Sequence, residues 1–253
     1  MNLSKNKIKY IRSLKEKKRR DEHGVFIAEG NKIVSELLGC LKCQLLVAEK
    51  EFMDLLPANL SEIEEVITTD SEKLSRASLL KNPQQALAVF YKPEYIIDTT
   101  LIKKNLNIAL DGVQDPGNLG TIVRLADWYG IENIFCSKDT ADIFNPKTVQ
   151  STMGAIARVK VHYTDLVSFI KDNHGIPIYG TFLDGENMYE KELPENGIIV
   201  MGNEGNGIRK EIEKLINNRL YIPHYPKNRE TSESLNVAIA TAIICAEFRR
   251  KHF

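Results

Sequence analysis

Short apolar runs alternating with helix-compatible stretches constrain this chain more than any other feature. After residue 105 the runs fall at residues 108–110, 133–136, 159–161, 177–181, 197–201 and 220–222, and stretches at 119–129, 165–171, 210–216 and 234–251 are compatible with helix. Short strands that are apolar throughout are buried on both faces, with the intervening helices as cover. The pattern therefore predicts an α/β fold with a mostly parallel sheet. In such sheets ligands bind beyond the carboxyl ends of the strands, so the loops following those runs are where chemistry is expected.

A second regime precedes it. Runs at 44–48, 65–68 and 86–90 alternate with helical stretches at 31–38 and 71–77, which predicts a smaller α/β unit. Pro93 and the polar stretch 98–105 show no sustained period and read as a linker. The expected organisation is a first domain over residues 1–94, a linker over 95–105 and a second domain over 106–253. No stretch of 18 apolar residues and no apolar leader is present, so a cytosolic protein is expected. Cys40 and Cys43 lack two further ligands at matching spacing. Small apolar filler in a reducing compartment is favoured over metal or redox chemistry, and no metal is expected. The five histidines are scattered, which disfavours a hydrolase triad.

Charge is uneven although 34 basic and 34 acidic residues cancel. Residues 1–20 hold nine basic side chains against Glu16 alone, which leaves 25 basic and 33 acidic residues in the remainder. Ile8, Ile11 and Leu14 form a narrow apolar stripe that suits a helix lying on a domain with its basic face outward. Lys15, Lys17, Lys18, Arg19 and Arg20 are the candidate phosphate contacts, with a merely solvated charge run as the alternative.

Three loops carry the remaining signal. The first, residues 111–124, holds three glycines, Asn118 and Arg124 at a helix start, where a capped loop would also account for Asn118. The second, residues 200–207, places Glu204 among Gly202, Gly205 and Gly207. A carboxylate there is poorly explained by turn-making, and the spacing matches neither a dinucleotide fingerprint nor a phosphate loop. The third, residues 222–238, runs into the C-terminal helix, for which Ser232 or Ser234 would serve as N-cap.

Asn118 with Arg124, then Gly202-Asn203-Glu204-Gly205, then the run Ser234, Leu235, Asn236, Val237 and Ala238, resemble the three ordered motifs of the SpoU/TrmH family of RNA ribose 2′-O-methyltransferases, within the SPOUT superfamily. Residues 15–33 and 67–90 resemble that family's L30e-like substrate-binding domain, so the likeness spans nearly the whole chain. The resemblance implies a deep trefoil knot near the C-terminus, a homodimer, and S-adenosylmethionine held by Gly202, Ile222 and Leu235, with Thr181 and Leu183 lining the same pocket. It places Arg124 at the reacting hydroxyl, sometimes as base. Free arginine stays protonated, which favours binding of the target phosphate, with the base role as the alternative. Asn118 would orient the ribose or Arg124, and Glu204, Ser234 and Asn236 would hold the catalytic loops and contact the nucleotide. Residues 225–233 would contact RNA or form a surface loop, and Glu29 would lie at the RNA face. Trp128 and Tyr129 read as core or interface. The implied substrate is structured RNA, by analogy ribosomal. A transfer-RNA enzyme and a catalytically silent RNA-binding protein are the alternatives.

Overall fold

The computed structural model describes residues 3–57, 63–226 and 234–251. It divides into two compact units, Met1–Glu94 with Asp142–Ala157, and Tyr95–Ala141 with Arg158–Phe253. The first unit therefore draws sixteen residues from the middle of the chain, an excursion that linear patterning does not reveal.

In the first unit β1 (Val25–Glu29), β2 (Cys43–Ala48), β3 (Ile63–Thr68) and β4 (Ala86–Tyr91) form a sheet in the order β1-β4-β2-β3, in which only β2 and β3 run parallel. Ser4 caps α1 (Lys5–Ser13), and Ile11 and Leu14 are fully buried on the core, as the stripe predicts. α2 (Lys17–His23) ends at Gly24, whose φ of 64° is the left-handed conformation that favours glycine. α3 (Asn31–Leu38) buries Ile33, Val34, Leu37 and Leu38, and α4 (Lys50–Met53) and α5 (Ser71–Ala77) follow β2 and β3.

In the second unit a short helix, α6 (Thr99–Lys104), occupies the stretch read as linker. Asp98 accepts hydrogen bonds from the amides of Thr100 and Leu101, and Ile102 is buried. One cap and one apolar anchor order a segment too short to show a period. Six strands follow: β5 (Leu106–Leu110), β6 (Asn133–Cys136), β7 (Lys160–Tyr163), β8 (Ile178–Asn187), β9 (Gly197–Met201) and β10 (Asn218–Tyr221). They form a wholly parallel sheet in the order β10-β8-β9-β5-β6-β7. Every residue of β5, β6 and β9 is buried, as the apolar runs require. α7 (Pro116–Trp128) follows β5, α9 (Leu166–Asp172) follows β7, α10 (Lys210–Glu213) follows β9, and α11 (Val237–Arg249) packs against α7. α8 (Pro146–Thr152) lies in the excursion and packs on β1 of the first unit.

Candidate active site

The three loops singled out in the sequence follow β5, β9 and β10. Asp115, with Pro116 behind it, caps α7 by accepting the Asn118 amide at 2.9 Å, so Asn118 sits in the first turn with its side chain free to reach out. Asn118 Nδ2 donates to Glu204 Oε1 at 2.8 Å, and Asn236 Nδ2 donates to Asn118 Oδ1 at 3.0 Å. One chain of hydrogen bonds thus ties all three motifs. Asn236 itself caps α11, accepting from the amides of Ala238 and Ile239. That displaces Ser234 from the expected capping role and explains an asparagine at this point. Ser232, Lys227 and Arg229 lie outside the described residues.

Beside this chain lies a cavity of about 450 Å³. Its walls include Thr181, Leu183, Gly202, Glu204, Ile222, Ser234 and Leu235, so every residue expected at the cofactor converges here. Thr181 and Leu183 arrive through a register shift: Arg219 pairs with Gly180 but Leu220 pairs with Glu186, which leaves residues 181–185 unpaired against β10. Met201 and Val237, from the second and third motif loops, also line the cavity, and Phe182, Ile208 and Ala240 add to the apolar wall without having been singled out in the sequence, because their types fit an ordinary core equally well.

The glycine loop folds on itself. Asn203 and Gly207 exchange backbone hydrogen bonds, and Asn203 Oδ1 accepts from the amides of Gly205 and Asn206. A Cβ on Gly202 would stand 2.4 Å from the Gly207 carbonyl carbon, so this glycine is demanded by the chain's own backbone. Two further anchors escaped the sequence reading. Asn203 Nδ2 donates to Gly112 O at 2.7 Å, and Asp111, 1% exposed, receives the Arg209 amide at 2.8 Å and Arg209 Nε at 2.6 Å. Both fasten the loop after β9 to the end of β5, with partners 91 and 98 residues apart that only the parallel pairing brings together.

Arg124 does not line the cavity. It is exposed on α7, makes no hydrogen bond or ion pair among the described residues, and shares a helix face with Trp128 four residues on, which is 82% exposed and so not core.

The candidate phosphate contacts of the first unit diverge. Lys15 and Lys18 are exposed, and their ammonium groups have no bonded partner among the described residues. Lys17 pairs with Asp21 and Arg19 with Glu22, both on the surface. Arg20 is not a surface cation at all. It is 1% exposed, donates to the Leu14 and Lys15 carbonyls, and pairs with Asp142 at 2.6 Å. A charge count cannot see that helix geometry turns this one residue inward. Glu29, expected at the RNA face, is buried and accepts hydrogen bonds from Ser78 and the Leu79 amide.

Parallel sheet, three ordered loops and cavity together define a methyltransferase of the SpoU type. Residues 105–246 match the SpoU rRNA Methylase family and residues 5–88 the MRM3-like substrate binding domain. The chain belongs to the SpoU rRNA methylase family. It is 34% identical to the 23S rRNA (guanosine(2553)-2′-O)-methyltransferase RlmP of Bacillus subtilis, with 96% of each chain covered. A TrmH-family structure from Porphyromonas gingivalis superposes with a TM-score of 0.87 at 42% identity, covering 99% of this chain and 100% of that one. The AdoMet-bound rRNA methyltransferase from Sinorhizobium meliloti gives 0.86 at 29% identity, covering 100% and 97%.

Proposed function

We propose that this chain methylates a ribose 2′-hydroxyl of ribosomal RNA, working in the cytoplasm as a homodimer. The class is that of its family, an S-adenosylmethionine-dependent RNA 2′-O-methyltransferase. The observation that carries the reading is the Asn236–Asn118–Glu204 chain, which joins three strand ends beside one cavity.

The cavity fits the cofactor: its volume lies in the range of small-molecule sites, and aliphatic side chains from Leu183, Ile222 and Leu235 face backbone of the glycine loop. These residues would hold the cofactor, the aliphatic side chains against its adenine. Bound there, S-adenosylmethionine supplies a sulfonium methyl open to in-line attack by oxygen. The protein's part is to orient the hydroxyl and assist loss of its proton. Asn118, fixed at both ends of its amide, sets the distance between the motifs. Glu204 and Ser234 offer acceptors to the incoming nucleotide. Arg124, a fixed cation with no bonded partner among the described residues, binds the target phosphate and lowers the hydroxyl's pKa.

The homodimer reading is supported by the exposed apolar side chains of Trp128 on α7 and Ile239 on α11, two helices that pack together. The trefoil knot expected of the family belongs to the same proposal. Among the described residues no helix is long and apolar enough to cross a membrane.

The test uses unmodified ribosomal RNA and labelled S-adenosylmethionine, followed by alkaline hydrolysis. Ribose 2′-O-methylation removes the oxyanion that attacks the neighbouring phosphate, so label is expected in alkali-resistant dinucleotides. Label confined to bases would overturn the reading. Arg124→Ala is expected to abolish transfer while cofactor affinity, measured by calorimetry, stays within about twofold; retained turnover would remove Arg124 from the mechanism.

A further inference from the structure

The first unit carries a groove whose chemistry is unaccounted for. Two adjoining cavities of about 660 and 300 Å³ share Asn6, Tyr10 and His23. At one end the polar groups are spent on each other. Lys7 pairs with Glu65, Lys42 and Tyr91 engage Glu64, and Tyr10 Oη donates to Gln44 Oε1 at 2.5 Å. The other end is lined by Lys9, Ser13 and Arg19. There Lys9 and Asn6 are exposed and make no hydrogen bond or ion pair among the described residues. Arg19 holds only the surface carboxylate of Glu22, a pair of little net worth that a phosphate can displace. Between the two ends the Tyr10 and His23 rings meet edge to face at 5.3 Å and 82°, so they do not stack on each other, and His23 is exposed.

Two cations, a free amide and an exposed ring in one groove have the composition that recognises a nucleotide. We propose that this groove is a nucleotide subsite for a single-stranded segment of the RNA substrate, with a phosphate against Lys9 and Arg19 and a base on the His23 ring. A duplex keeps its base faces stacked, so the ring selects a loop, bulge or strand end. The assignment rests on the RNA methyltransferase reading for the source of the ligand. It departs from a simple basic arm, because it makes α1 and α2 a shaped site and excludes the buried Arg20.

The full chain carrying Lys9→Ala with Arg19→Ala, and separately His23→Ala, tests it. All three side chains are exposed, so the fold is preserved, and unchanged S-adenosylmethionine affinity verifies this. Unmodified ribosomal RNA transcript is the probe, with binding measured by filter retention across a salt series and methylation measured in parallel. The double variant is expected to weaken binding about tenfold and to shrink the salt slope by about 0.7, the value for one phosphate left unneutralised on a single strand. His23→Ala is expected to weaken binding about tenfold with the slope intact, as loss of one stacked base does. In both, KM for RNA rises while kcat changes less than twofold. Unchanged affinity and slope in all variants would overturn the subsite. Wild-type protein that binds RNA but transfers no methyl would count against the enzymatic reading, and the variants would still decide the groove.

Discussion

Arg20 shows how one residue changes the meaning of a charge count. Nine cations in the first 20 residues suggest a uniformly basic arm, yet Lys7, Lys17 and Arg19 pair with Glu65, Asp21 and Glu22, Arg12 donates to the Arg76 and Ser78 carbonyls, and Arg20 is buried. Removing one member of a buried ion pair leaves the other uncompensated, at a cost of roughly 3–5 kcal/mol. Asp142 retains 16% exposure, so Arg20→Ala is expected at the lower end, about 3 kcal/mol, read as a fall in urea midpoint at constant slope. A second residue-scale prediction concerns pH. Burial, with the nearby Lys160 cation, holds the His162 imidazole below its usual pKa; the ring stacks on Phe135 at 5.0 Å and meets Asn133 Oδ1 at 3.2 Å. The unfolded chain binds this proton more readily. His162 therefore contributes stability that is fully present above the unfolded pKa near 6.5 and is lost as pH falls below it toward the folded value. His162→Gln is expected to flatten the stability profile over that window, which thermal unfolding from pH 7.5 to 5 measures. Neither effect was legible in the sequence, because burial of a polar side chain depends on partners 122 residues away for Arg20 and 29 for His162.

At the scale of elements, patterning served well where it was long. The α3 and α5 bounds and most strands follow directly from apolar spacing, while α4, α6 and α8, of four to seven residues, stayed hidden because they are too short to show an apolar period. The motif loops were legible as residues and illegible as geometry. Gly202 looked like an opening for ligand and does line the cavity, and the structure also makes it a contact between two stretches of the loop itself. The nearby Gly205 gives the contrast, since a Cβ there would meet only Asn203 Oδ1 at an ordinary 3.6 Å. Gly202→Ala is expected to lower stability by about 1–3 kcal/mol and to weaken cofactor binding, whereas Gly205→Ala should leave the unfolding midpoint nearly unchanged. Equal behaviour of the two in thermal unfolding would remove the backbone argument. Arg209 acts at this scale too, because it clamps the loop after β9 to Asp111 at the end of β5. Arg209→Ala is expected to raise the dissociation constant for S-adenosylmethionine more than it lowers the melting temperature of the unit. Arg209→Lys should restore this only in part, since a point charge replaces a guanidinium fork.

For the whole molecule, the fold class and the residues that converge on the cavity were visible from ordered motifs, but the discontinuous make-up of the first unit was not. Excising residues 1–20 to test the basic arm would strip Ile11 and Leu14 from the core, so charge-removing substitutions at the exposed Lys9 and Arg19 are the sharper instrument. The proposed homodimer makes its own demand. Trp128→Glu is expected to shift the protein to monomer in sedimentation and to lower methylation, and an unchanged dimer would remove this face from the interface.

The excursion Asp142–Ala157 also sets an order of events during synthesis. β1 waits for α8, Phe26 waits for Phe144 at 5.0 Å, and the buried guanidinium of Arg20 waits for a carboxylate encoded 122 residues later. The amino-terminal unit is thus translated first yet completed only after β5, α7 and β6 have been synthesised, and Arg20 lacks its counterion over that interval. A chaperone that recognises half-built α/β units would find its longest-lived target there, and synonymous codons that slow elongation between residues 94 and 157 would prolong it.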